Sequence, residues 1–306
     1  MDSESIRSLM SGCRICPRNC GADRLQRPGV CGANAQIRVS RAALHRWEEP
    51  CLSGTRGSGT VFFNGCSLHC VYCQNAAISS PSSQSPGKEI TPERLAEIFL
   101  ELQGQGAHNI NLVTPTHYLP HIARALESAG SLGLSIPVVY NTSGYEKADS
   151  LKWLEGLVDI YLPDFKYMDP SRARQYSNAA DYPERAKEAL AEMVRQSPAP
   201  VLDERGIMQK GVIVRHLLLP GGREDSMAVV RYLYETYGDA IYISLLKQYT
   251  PVVRETGYPE LNRKIRRREY DRIVDYAISL GVRNAYIQEG GAAQESFIPD
   301  FDGQGV

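Results

Sequence analysis

No apolar stretch of this 306-residue chain is long enough to cross a membrane, and its first ten residues lack the apolar core of a secretory signal. The net charge is only −1, so the composition gives no reason to expect nonspecific binding to nucleic acid. We therefore expect a cytoplasmic protein whose partners include neither a membrane nor a nucleic acid. In that compartment, eight cysteines favour metal binding over disulfides.

No cysteine follows Cys73, so the cysteine motif that ends there has no fourth cysteine after it. The apolar run Val61–Phe63 predicts a strand that leads into Cys66, Cys70 and Cys73, spaced C-x3-C-x2-C. Three thiolates fill three of the four corners that cysteines normally occupy around a four-iron cluster, which leaves one iron open to a small molecule. The alternative is a zinc site, in which His69 would be the fourth ligand.

This motif resembles that of the radical S-adenosylmethionine (SAM) superfamily, and Tyr72, the aromatic residue before the last cysteine, also fits. The resemblance implies that the open iron of a [4Fe-4S] cluster is chelated by the amino and carboxylate groups of SAM. It further implies that one electron, supplied by a flavodoxin or ferredoxin, cleaves SAM to methionine and a 5′-deoxyadenosyl radical. We expect the cluster to be sensitive to oxygen.

A second set of cysteines precedes this motif, with the spacing C-x2-C-x3-C-x10-C: Cys13, Cys16, Cys20 and Cys31. The set lies in a loop rich in proline and glycine, without a core of its own, so it needs a metal to fold. Zinc and a second iron–sulfur cluster both satisfy four thiolates, and free thiols are a third reading. We interpret residues 1–58 as a Cys-rich N-terminal extension and 59–306 as the main domain with a C-terminal tail.

After the central motif, strand and helix patterns alternate, which predicts an α/β fold. Further strands are expected at 109–113, 137–140, 160–165, 201–214 and 240–246, with a last short strand at 284–288. Six βα units joined by right-handed crossovers imply a parallel sheet. The resemblance makes this a partial (β/α)6 barrel, in which ligands bind at the C-terminal ends of the strands.

Polar side chains follow the second and third strands of the predicted barrel. Thr114 and Thr116 occupy the position where much of the superfamily carries Gly-Gly-Glu, and they supply no carboxylate. Asn141, Thr142 and Ser143 resemble the D-T-N-G turn of pyruvate formate-lyase activating enzyme. The resemblance implies contacts to the amino group, ribose or carboxylate of SAM. A turn stabilised by its own side chains is the alternative for residues 141–143.

The later strands end in charged and amide residues. Asp164 and Lys166 resemble the D-x-K of the same activating enzymes, where the lysine contacts the SAM carboxylate and the aspartate holds a cation or substrate. A plain buried ion pair is the alternative. Arg215 is expected over the cavity, and Gln248 follows the sixth strand in place of the adenine-binding stretch.

The segments C-R-I-C-P-R-N-C-G, E-E-P-C and T-P-T-H-Y resemble an uncharacterised branch related to pyruvate formate-lyase activating enzyme. This resemblance implies an oxidoreductase that abstracts a hydrogen atom from a protein or peptide, in its sharpest form a glycyl-radical activase. A radical SAM enzyme that acts on a small metabolite is the first alternative. A non-catalytic metal-binding or electron-transfer protein is the second, and it predicts no cleavage of SAM.

Overall fold

The computed structural model describes residues 2–79, 86–251, 257–288 and 299–306. The helices are α1 (Ser3–Ser11), α2 (Pro50–Ser53), α3 (Ala76–Ser79), α4 (Pro92–Gly104), α5 (Leu119–Ser131), α6 (Ala148–Leu151), α7 (Pro170–Ser177), α8 (Tyr182–Gln196), α9 (Arg223–Tyr237) and α10 (Arg267–Leu280). The strands are β1 (Ile37–His45), β2 (Ser58–Phe63), β3 (Lys88–Ile90), β4 (Ile110–Val113), β5 (Val138–Thr142), β6 (Ile160–Pro163), β7 (Val201–Leu202), β8 (Met208–Leu217), β9 (Tyr242–Leu246) and β10 (Ala285–Ile287). Among these helices, none combines the length and apolar character that a membrane crossing needs.

The strands form one sheet in the order β10-β9-β8-β6-β5-β4-β2-β1-β3, with β7 paired to β8 outside this row. The neighbours from β2 to β10 along this row are parallel. At the other end of the row, β1 is antiparallel to β2, and β3 is antiparallel to β1. Within the described chain the first and last strands of the row do not pair, so the barrel is open. The predicted α/β fold with a partial barrel is confirmed.

The central strands form because their residues are buried on both faces, as parallel sheets covered by helices require. Every residue of β2 is buried. Helix α4 begins at Pro92, because the Thr91 hydroxyl accepts a hydrogen bond from the Arg94 amide and Pro92 occupies the first turn. Its apolar face, which includes Leu95 and Phe99, is buried in the main core.

The register of the parallel strands aligns the polar residues that follow them. Val113 of β4 pairs with Asn141 of β5, and Thr142 of β5 pairs with Pro163 of β6. Asp164, just beyond β6, forms an isolated bridge with Arg215 of β8. The predicted polar motifs therefore meet at one edge of the sheet.

Two strands lie outside those listed in the sequence analysis. They are β1, with nine residues, and β3 at residues 88–90. Strand β3 has only three residues and forms because the edge of β1 offers free backbone groups, which no pattern within Lys88–Ile90 reveals. The domain boundary at residue 58 stays a prediction, and β1 and β2 are hydrogen-bonded across it.

Candidate functional site

A cavity of about 250 Å³ lies at the C-terminal ends of the parallel strands. It is bordered by the loop after β2 and by the first residues after β4, β5, β6 and β9. The residues predicted from the sequence that line it are Cys66, Cys70, Tyr72, Cys73, Thr114, Asn141, Thr142, Ser143, Asp164, Lys166, Arg215 and Gln248. Fold topology thus brings together side chains that are up to 182 positions apart, from 66 to 248.

The loop that carries the three cysteines leaves β2 through Gly65, whose φ is +89°. A Cβ at this position would stand 2.6 Å from the carbonyl oxygen of Cys31, so only glycine fits. His69 also has a positive φ, and its Nε2 lies 2.8 Å from the carbonyl oxygen of Val30. His69 does not line the cavity, which weakens the zinc reading in which it is the fourth ligand.

Each of the three sulfurs has a hydrogen-bond donor. The Leu68 amide lies 3.4 Å from the Cys66 sulfur, the Ser177 hydroxyl 3.1 Å from that of Cys70, and the Ser79 hydroxyl 3.3 Å from that of Cys73. Donors of this kind stabilise the thiolate form of a cysteine, because a thiolate sulfur accepts hydrogen bonds and has no proton to donate.

The donor at Cys70 belongs to a longer chain of hydroxyl groups. Ser177 Oγ lies 2.8 Å from the Tyr167 hydroxyl, which lies 2.6 Å from the Tyr72 hydroxyl. Because a Cys70 thiolate only accepts, Ser177 donates to it, Tyr167 donates to Ser177, and Tyr72 donates to Tyr167. All three donors then point toward the sulfur, and each bond polarises the next.

Lys166 and Asp164 form an ion pair at the cavity wall, with 2.6 Å between Nζ and Oδ2. Burial lowers the pKa of Lys166, but the Asp164 carboxylate and the Cys70 sulfur outweigh burial and leave it well above its ordinary value. The lysine is therefore a permanent cation beside the cysteine loop.

Arg215 is held by two carboxylates that the sequence presents as adjacent residues. Its Nε lies 2.8 Å from Glu49 Oε1, and its Nη2 also contacts Glu48. Burial raises the pKa of Glu49, but the Arg215 guanidinium outweighs burial and holds it below its ordinary value. Since two carboxylates face one guanidinium, this cluster carries one net negative charge at the cavity.

The sequence profile of the radical SAM superfamily matches residues 60–231, more than half of the chain. The chain belongs to the radical SAM superfamily. It is 26% identical to an uncharacterized protein of Methanocaldococcus jannaschii over 283 residues, which cover 90% of this chain and 76% of that protein.

Solved structures of radical SAM enzymes have a related fold. The chain superposes on Streptococcus suis SuiB bound to SAM with a TM-score of 0.50 and 15% identity, covering 74% of this chain and 48% of SuiB. SuiB bound to its precursor peptide SuiA gives the same score and identity, with 74% and 47% covered. The chain thus spans about half the length of SuiB, and at this identity the likeness concerns the fold.

As a radical SAM protein, the chain has a [4Fe-4S] cluster and SAM as its cofactors, and the side chains fit both. Burial raises the pKa of Cys66 to about 12, so the protein alone favours the neutral thiol there. Cluster iron supplies the positive charge that a buried thiolate needs. The lysine ammonium and the carboxylates along the cavity match the carboxylate and the two cationic groups of SAM.

One buried carboxylate that is hydrogen-bonded to the cavity residue Thr142 is missing from the sequence-based prediction. Glu146 is fully buried; its Oε1 accepts a 2.6 Å hydrogen bond from Thr116 and further bonds from Thr142 and Tyr140. Burial raises its pKa to about 7, and its Oε2 has no partner among the described residues. Neither Thr116 nor Glu146 lines the cavity, and Thr116 is connected to it through Glu146, which is also bonded to the cavity residue Thr142.

Several residues that line or support the site were not part of the sequence-based prediction. Gln248 is held in place by Gln74, whose Nε2 donates to its backbone oxygen at 3.1 Å, and by Gln288, whose Nε2 lies 3.0 Å from its Oε1. Trp47 stands at the cavity and is 62% exposed. The run W-E-E-P was the available signal for Trp47 and the Arg215 partners, but adjacent acidic residues are usually solvated.

Proposed function

We propose that this radical SAM enzyme abstracts a hydrogen atom from a protein or peptide, in the manner of a glycyl-radical activase. Cys66, Cys70 and Cys73 would hold the cluster, which would supply the electron for cleavage of SAM and so allow hydrogen-atom abstraction by a 5′-deoxyadenosyl radical. A cytoplasmic flavodoxin or ferredoxin is the proposed electron donor. A member of the same fold, SuiB, binds a precursor peptide, so the fold is compatible with a peptide substrate.

The size and position of the cavity carry this proposal. Sites for one small ligand typically enclose about 300–1,000 Å³, whereas this cavity measures about 250 Å³ in the described part of the chain. SAM bound beside the cysteine loop would occupy this space, so the second substrate would present its carbon–hydrogen bond at the mouth. The exposed indole of Trp47 stands there, and tryptophan is enriched in protein interfaces.

We assign each polar residue of the cavity to a part of SAM, according to its charge and its hydrogen-bonding groups. Lys166 would bind the carboxylate through a charge-assisted hydrogen bond, with Asp164 fixing its ammonium. Asn141, Thr142 and Ser143 would contact the ribose, and Gln248 the adenine. Tyr72 would pack beside the cluster, and the backbone at Thr114 would face the amino group.

The balance of charges at the cavity suits a cationic ligand. Three carboxylates, of Glu48, Glu49 and Asp164, oppose two cations, Arg215 and Lys166. The excess negative charge favours the amino group and the sulfonium of SAM, and Arg215 serves this balance rather than a direct contact.

Formation of 5′-deoxyadenosine tests the radical SAM chemistry. Anaerobically reconstituted protein with SAM and dithionite should release this product, and Cys70→Ala should release none. If both proteins bind iron and sulfide and neither releases the product, the proposed activity is wrong.

The class of substrate can be tested with deuterium. Cells of the organism that carries this chain are grown on deuterated glycine, and the anaerobic extract is separated into a protein fraction and a small-molecule filtrate. We expect the protein fraction to transfer deuterium into 5′-deoxyadenosine, as detected by mass spectrometry. Transfer from the filtrate alone would instead identify a metabolite as the substrate.

A further inference from the structure

The four N-terminal cysteines converge in space, although their loop contains no helix or strand between α1 and β1. Cys13, Cys16 and Cys31 are buried, Cys20 is exposed, and none forms a disulfide. The sulfurs of Cys20 and Cys31 lie 3.6 and 3.5 Å from the point where a Cβ on Gly29 would stand. The missing side chain of Gly29 leaves an open space between these two sulfurs.

A buried cation faces this group of sulfurs. Arg24 is 1% exposed and donates to the carbonyl oxygens of Ala33, Asn34 and His117. Its Nη1 also lies 3.8 Å from the Cys13 sulfur, and no carboxylate of the described residues pairs with it. A buried guanidinium without a counter-ion is costly. Sulfurs in the thiolate form would supply the missing negative charge, and thiolates this deeply buried require a metal.

The spacing of the side chains favours several metal ions over one. Among the described residues, no group of three or more His, Cys, Asp or Glu side chains is arranged to hold a single ion. The same is true of Cys66, Cys70 and Cys73, whose ligand in this superfamily is a cluster of four irons. The N-terminal cysteines, like Cys66, Cys70 and Cys73, are therefore not arranged around a single ion in the described part of the chain.

We propose that Cys13, Cys16, Cys20 and Cys31 hold a second iron–sulfur cluster. The proposal goes beyond the proposed function and does not depend on it. All four positions of this cluster would be filled by cysteine, so it would not bind SAM.

The two cysteine loops are neighbours. The Cys66 amide donates to the Cys31 carbonyl oxygen at 3.0 Å, and Arg18 donates to the carbonyl oxygens of Ser67 and Leu68 at 2.7 and 3.1 Å. A change at Cys31 would therefore disturb both loops. Cys20 is exposed and is the safer position for a test.

The test is the metal content of full-length variants reconstituted with iron and sulfide. In Cys66→Ala/Cys70→Ala/Cys73→Ala only the N-terminal set remains, and we expect it to retain about four irons per chain, against about eight in the wild type. Its reduced electron paramagnetic resonance signal should not change when SAM is added. Adding Cys20→Ser should remove this iron, whereas adding Cys51→Ser, a buried cysteine outside both sets, should not.

The single variant Cys20→Ser covers the case in which the triple variant does not fold. It should lose about half of the wild-type iron and keep a SAM-dependent signal from the remaining cluster. Wild-type protein with only about four irons, unchanged in Cys20→Ser, would overturn the proposal. So would a zinc ion in place of the second set of irons. Neither result depends on 5′-deoxyadenosine, so failure here is distinct from failure of the proposed activity.

Discussion

The cysteines at 66–73 and those at 13–31 lie in adjacent loops, yet the fold holds the two loops in different ways. The first loop continues the buried strand β2 and receives hydrogen bonds at its sulfurs. The second has no strand and is fixed by side chains that bind backbone carbonyls, chiefly Arg18 and Arg24. The comparison teaches that a loop which continues a strand is positioned by the sheet. A loop without a strand depends instead on charged side chains that bind backbone carbonyls.

The largest effect should come from Arg24→Met, which tests the second loop. The change removes the hydrogen bonds of the guanidinium to the carbonyl oxygens of Ala33, Asn34 and His117, and it removes the cation that faces the cysteines. We expect the free energy of unfolding to fall by roughly 3–5 kcal/mol, measured by urea unfolding under anaerobic conditions. Exposed Arg27→Met is the control and should stay within about 0.5 kcal/mol of the wild type. Equal stability of both variants would contradict the structural role of Arg24.

Glu146→Gln tests, through its pH dependence, the buried carboxyl that is bonded to the cavity residue Thr142. The raised pKa of Glu146 means that the folded state holds a proton that the unfolded state has lost. The contribution of this carboxyl to the free energy of unfolding is fully present below pH 4.5 and is lost as the pH rises to about 7. Wild-type stability relative to Glu146→Gln should fall by up to ~3 kcal/mol across that window. Exposed Glu235→Gln should show no such trend in urea unfolding.

Lys166→Met tests whether the charges of the first site serve SAM. Loss of the ammonium removes a charge-assisted contact, so the dissociation constant of SAM should rise roughly 10- to 100-fold. Equilibrium binding to the reconstituted protein measures it. Lys166→Arg keeps the charge and should lose less affinity. If both variants bind SAM like the wild type, the lysine is a plain partner of Asp164.

The smallest effect should come from Ser177→Ala, which removes the donor at the Cys70 sulfur. A hydrogen bond to a thiolate stabilises the reduced cluster, so the midpoint potential should become more negative by about 40 mV, equivalent to about 1 kcal/mol for one electron. A redox titration followed by electron paramagnetic resonance measures the shift. Ser67→Ala is a matched control, because its hydroxyl is buried without a partner among the described residues. A shift of equal size in the control would exclude the role of Ser177.

The sequence predicted the strands of the barrel well, because their apolar runs and the polar residues after them are local patterns. The start of α4 is also a local pattern, because Thr91 caps the helix and Pro92 is its first residue. The short strand β3 was not predicted, because three residues show no periodicity and the strand exists only by pairing with β1. The pairing of Arg215 with Glu48 and Glu49 depends on segments 166 positions apart, so no local pattern contains it.

The sequence by itself determined the superfamily, its two cofactors and the α/β class, because the cysteine spacing and the alternation of strands and helices are encoded within short segments. Only the tertiary structure decided which polar residues face the cavity and which support it from below. Thr116 and Glu146 show why: Thr116 was predicted to contact SAM and Glu146 was not predicted at all, yet the two side chains are buried and hydrogen-bonded to each other. The direction of a side chain and the charge it meets depend on contacts between distant segments, and these exist only in the folded protein.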